Sequence, residues 1–75
     1  MSVDWRKHIV STPDVLSGRP RLAGTRIPVN MILGYLALGY DAARIREELP
    51  DVTDEHIAAC LGYARDLSTY EVVAS

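Results

Sequence analysis

DAARIREELPDVTDEHIAACLGYARDL, residues 41–67, decides the fold, because two helices and the turn between them can be read from its local chemistry. Asp41 is a good N-cap for the first helix, over residues 42–49, in which Ala42, Ile45 and Leu49 share one face. Pro50 forces the stop, since the residue before a proline avoids the α region. Thr53 caps the second helix, and Asp54 and Glu55 fill its first turn, where the helix dipole favours negative charge. Ile57, Cys60, Leu61, Ala64 and Leu67 then recur at the spacing of one amphipathic stripe, which predicts a helix to residue 67 or 68.

Upstream, NMILGYLAL at residues 30–38 predicts another helix, with Asn30 as its N-cap and Gly39 ending it. Ile32, Leu33, Leu36 and Leu38 are expected to cover a wide apolar face. Gly34 inside this helix costs about 0.5–1 kcal/mol against alanine, and the close approach of a neighbouring segment is the expected reason for it. Before residue 28, Pro13, Gly18, Pro20 and Gly24 leave no room for a helix. Short extended pieces are predicted at residues 8–10, 21–22 and 26–29, the last two joined as a hairpin across residues 23–25 with Pro28 at an edge. The reading is mainly α: a single domain over residues 1–75. A three-helix, homeodomain-like or helix-turn-helix bundle at 30–68 carries a short N-terminal β-hairpin arm at 8–29. The tail, 69–75, is expected to be a frayed end or a short added strand.

The chain has 75 residues, so its core is small and self-association, as a homodimer, is expected to supplement it. Net charge is −2, but the sign is divided. Residues 1–26 hold five basic side chains against two carboxylates, whereas residues 27–75 hold three against eight. A basic arm on an acidic body argues against wrapping nucleic acid by charge alone, and puts any phosphate contact on the arm. One cysteine, Cys60, allows no internal disulfide, and neither a signal-peptide run nor a membrane-length apolar stretch is present, so the expected setting is the cytoplasm.

The stretch HIVSTPDVLSGRPRLAGTRIPV at residues 8–29 resembles the small bacterial family catalogued as domain of unknown function 433. The resemblance rests on Pro13-Asp14-Val15, on Gly18-Arg19-Pro20 and on Gly24-Thr25-Arg26-Ile27-Pro28-Val29. It continues through Leu38-Gly39-Tyr40, Ile45, Pro50, Thr53, Ile57 and Tyr63, covering roughly residues 8–66. Two positions depart from it: Ala23 stands where the family often has arginine, and Leu49 where it often has tyrosine. The resemblance implies a homeodomain-like or winged-helix fold and a role as antitoxin beside a toxin similar to a PIN-type ribonuclease.

Arg19, Arg21 and Arg26 are the leading candidate contact residues, because a guanidinium pairs bidentately with carboxylate or phosphate. An inserted arginine would suit the carboxylate-built metal site of such a toxin. The plainer alternative is that Arg26 pairs with a carboxylate of its own domain and fixes the hairpin. Arg44 and Arg46 are secondary candidates for a partner or operator DNA, against the alternative of a solvated face with i,i+4 pairs. A helix-turn-helix would present Asp54, Glu55 and His56 to the bases, which is unfavourable. His56 and Cys60 lie one turn apart, but Cys60 reads as core, so no metal, cofactor or catalytic constellation is expected, nor an enzyme. A stand-alone DNA-binding regulator and a structural dimerisation module remain rival readings.

Overall fold

The computed structural model describes residues 3–69. Strand β1, Ile9–Val10, pairs antiparallel with β2, Arg21–Leu22, in the register Ile9 opposite Leu22 and Val10 opposite Arg21. Between them lies a single 3-10 turn, Leu16–Gly18; another, Trp5–Lys7, precedes β1. The chain then turns at Gly24, whose φ of +79° suits a residue without a side chain, and runs back beside β2. The amide of Leu22 donates to the Ile27 carbonyl (2.9 Å) and that of Val29 to the Pro20 carbonyl (3.0 Å). These bonds flank a bridge between Arg21 and Pro28, so Pro28 occupies a position where no ladder N–H is required. The predicted turn at Gly24 is therefore present, but its second arm is not a strand: residues 26–29 supply one isolated bridge before the first helix begins at Val29, and the two-stranded sheet is formed by residues 9–10 with 21–22.

Helix α1 spans Val29–Ala37 and starts two residues earlier than an Asn30 cap would place it. Asn30 is not its cap: Pro28 holds that position with no side-chain bond. The reason is the arm. The first orphan amide of the helix, Val29 N–H, is already taken by Pro20, so helix and ladder share one hydrogen bond. Gly39, at φ +94°, closes the helix as expected. Helix α2, Ala42–Glu48, is capped by the Asp41 carboxylate, which accepts from the Arg44 amide at 2.8 Å. Helix α3, Asp54–Leu67, opens with a reciprocal cap. The Thr53 hydroxyl accepts from the His56 amide (3.2 Å), and His56 Nδ1 accepts from the Thr53 amide (3.1 Å).

The core is built from every part of the chain: Ile9 and Leu22 from the arm, Val29 and Ile32 from α1, Ile45 from α2, Val52 from the turn, and Ile57, Ala59 and Cys60 from α3. Three expectations about it fail. Leu38 is 76% exposed, because it lies at the C-cap beyond the packed turns of α1. Leu61 and Leu67 are also exposed, while Ala59 is fully buried, so the buried face of α3 is rotated from the predicted stripe. Trp5 accounts for part of that rotation. Its ring packs against α3 at Gly62, where an added Cβ would lie 3.4 Å from Trp5 Cδ1. Gly34, by contrast, meets no close neighbour among the described residues. Among the described residues no helix is long and apolar enough to cross a membrane. Most of the tail reading, residues 70–75, lies outside the described residues.

Candidate functional site

Arg19 follows an unusual piece of backbone. Leu16 and Ser17 have φ of +52° and +55°, and Gly18 follows at +81°. For non-glycine residues this left-handed geometry costs roughly 1–2 kcal/mol each. The turn is held by the Gly18 amide on the Val15 carbonyl and the Arg19 amide on the Leu16 carbonyl, both 3.1 Å. Arg19 then emerges extended and exposed ahead of Pro20.

Arg21, two positions on, is half-buried. Its Nη2 donates to the Thr12 hydroxyl at 3.1 Å, while its Nε is buried with no partner among the described residues. Arg26 sits exposed just after the Gly24 turn, which the Thr25 hydroxyl braces by donating to the Leu22 carbonyl (2.8 Å) and accepting from the Ile27 amide (3.0 Å). Among the described residues, Arg19, Arg21 and Arg26 make no ion pair with any carboxylate. Arg26 thus has no carboxylate of the described residues fixing its hairpin.

The arginines outside the arm are paired. Arg44 meets Glu48 one turn along α2 (3.4 Å) and lies 4.6 Å from the centre of the Tyr40 ring, itself stacked on Tyr35. Arg46 bonds Asp54 across the turn between α2 and α3. Arg65 bonds Asp66 at 3.1 Å, and Arg6 lies near both Asp4 and Asp66. Arg44 and Arg46, both candidates from sequence, are therefore already engaged within the body.

Beside Arg19 the arm, α1 and α3 enclose a cleft of about 170 Å³ lined by Arg19, Pro20, Val29, Asn30, Leu33 and Tyr63. Its lining is mostly apolar, with Arg19 and Asn30 as its charged and amide-bearing members. Tyr63 is fixed from behind: its ring meets Trp5 edge-on at 5.1 Å, and the Trp5 indole N–H donates to Asp66 at 2.6 Å. That bond, with help from Arg65, holds the Asp66 carboxyl below the usual carboxylate range. The sequence marked Arg19 as a cation but not the cleft, whose walls come from three separate segments. Asn30 read as a cap, and the exchange between Trp5 and Asp66 spans 61 positions.

No group of three or more metal-ligating side chains occurs among the described residues. The Cys60 thiol is fully buried, and desolvation pushes it up to about 11, far from a reactive thiolate. His56 sits edge-on to His8, 6.3 Å between ring centres, with its Nδ1 lone pair committed to the Thr53 amide.

Fold and site together define a class: a small three-helix domain fronted by a strand-built, arginine-bearing arm. Comparison with known proteins places it further. The chain belongs to the family described as protein of unknown function DUF433, whose pattern matches residues 9–64. It is 36% identical over 59 residues to the uncharacterized protein y4eO of Sinorhizobium fredii (strain NBRC 101917 / NGR234). That match covers 79% of this chain but 27% of y4eO, so the chain spans about a quarter of that relative's length. No solved structure matches the chain.

Proposed function

We propose that this chain is a non-enzymatic, antitoxin-like domain of a type II toxin–antitoxin module, binding a toxin that resembles a PIN-type ribonuclease through its arm. The observation that carries this reading is the division of the arginines. Arg44, Arg46 and Arg65 are matched by carboxylates of the body, while Arg19, Arg21 and Arg26 are matched by none among the described residues. Unpaired guanidinium groups on an ordered arm suit an acidic surface, and the carboxylate-built metal site of such a nuclease is one. Operator DNA, if contacted, falls to the same arm. The first turn of α3 offers a major groove Asp54 and Glu55, and His56 is occupied by the cap. Homodimer formation belongs to the same reading: Met31 and Leu38, seven positions apart on and just after α1, leave apolar surface uncovered.

The test is co-expression of the tagged chain with the product of the adjoining reading frame, followed by affinity purification. The expected result is a stable complex that survives Arg44→Ala and is lost in Arg19→Glu/Arg26→Glu. Recovery of this chain alone, with the neighbour soluble in the flow-through, overturns the reading.

A further inference from the structure

We infer that the cleft beside Arg19 receives a single apolar side chain of a partner protein, with a carboxylate next to it in the partner sequence meeting the Arg19 guanidinium. This deepens the proposed function and rests on the arm being a partner-binding site.

Size sets the first limit. About 170 Å³ is well below the roughly 300–1,000 Å³ of sites that enclose a drug-sized ligand or cofactor. It suits one anchor side chain, the unit by which protein interfaces concentrate their energy. Chemistry sets the second. Pro20, Val29, Leu33 and Tyr63 offer apolar and aromatic walls, so the entering group is aliphatic or aromatic. At the rim Arg19 has no anion among the described residues, and the neighbouring Arg21 and Arg26 have none either, so what lies beside that anchor is acidic. The charge is complementary to a carboxylate-bearing protein segment. A nucleic acid is disfavoured, because a single guanidinium lines the cleft and the helical body beside it is acidic.

The cleft is also pre-formed. Val29 is tied to Pro20 through the shared hydrogen bond, Tyr63 is backed by Trp5, and Arg19 leaves a left-handed turn of defined geometry. A wall already in place avoids the ordering cost that weakens flexible sites.

The test uses the full chain, uniformly labelled with nitrogen-15, and the peptide acetyl-Gly-Leu-Glu-Gly-amide. Saturable shifts are expected at the amides of Val29, Asn30, Leu33 and Tyr63. Replacing the peptide's leucine by alanine should weaken binding about tenfold. Replacing its glutamate by glutamine should weaken binding in the wild type but make no difference in Arg19→Gln. An octathymidylate strand serves as the nucleic-acid probe. Shifts at the cleft with the oligonucleotide and none with the peptide overturn the inference, as does a flat response to both. Asn30→Phe, an exposed position at the cleft rim whose folding is checked by circular dichroism, should abolish peptide binding. The two readings fail separately. Peptide binding with no co-purified toxin sinks only the toxin assignment. A toxin complex lost in Arg19→Glu but indifferent to Asn30→Phe sinks only the cleft.

Discussion

The arm and the helical body share one core yet are finished differently. The body closes its own electrostatics: Arg44 on Glu48, Arg46 on Asp54, Arg65 on Asp66. Its helices α2 and α3 begin with side-chain caps, Asp41 and Thr53. Among the described residues the arm leaves its arginines without carboxylates and buries an Arg21 Nε without a partner, and it holds Leu16 and Ser17 in left-handed geometry. A shortage of acids does not explain this, since Glu47, Asp51 and Glu55 are exposed and make no ion pair among the described residues. Strain and unmatched charge are collected in one ordered segment, and they are tolerated because the rest of the domain holds that segment in place.

The comparison can be broken at its base by Leu22→Ala. Leu22 is fully buried, so its truncation is expected to cost about 2–5 kcal/mol. Circular dichroism of the helices and Trp5 fluorescence should lose their signals in one transition at a lower midpoint. If the helices melted unchanged, the arm would be an appendage and the shared core a fiction. Next in size, Thr53→Ala should cost about 1 kcal/mol through loss of the α3 cap, read as a lowered denaturation midpoint.

Ser17→Gly should act with the opposite sign. Glycine accepts φ of +55° without the left-handed penalty, and after its greater chain entropy the gain is about 0.5–1 kcal/mol. An unchanged or lowered melting temperature would show that the arm is not strained there. Smaller still, Arg46→Ala should change stability by no more than about 1 kcal/mol, as exposed ion pairs do, and leave arm-mediated binding untouched. Isothermal calorimetry against the partner, alongside thermal melts, checks both halves.

The pairing of Asp66 with Trp5 adds a pH dependence confined to the body. Because the folded-state pKa of Asp66 is depressed, its contribution is fully present above the unfolded value, about 3.9, and is lost as pH falls through the lower folded value. Acid titration of Trp5 fluorescence should show this below pH ~4. The step should be missing in Asp66→Asn, and its persistence there would assign it elsewhere.

What could be read from sequence was what is local. Asp41, Pro50 and Thr53 each act within one helical turn, so the starts of α2 and α3 fell where those residues put them and α2 ended one residue short of its expected stop. The turn at Gly24 was equally legible. What failed depended on distant partners. Asn30 lost its capping role to a carbonyl ten positions upstream, Pro20. Leu61 and Leu67 were displaced from the core in part because Trp5, far away in the chain, covers α3 at Gly62. Arg19 stood out by charge alone. That Arg44 and Arg46 would be spent internally depended on side-chain geometry, which periodicity does not encode.

The tie between Trp5 and Asp66 has one more consequence. It pins residue 5, ahead of the arm, to residue 66, in the last turn of α3, so the two flanks of the described unit meet at a single point. A unit whose entrance and exit coincide can be spliced into a longer polypeptide without stretching either neighbour.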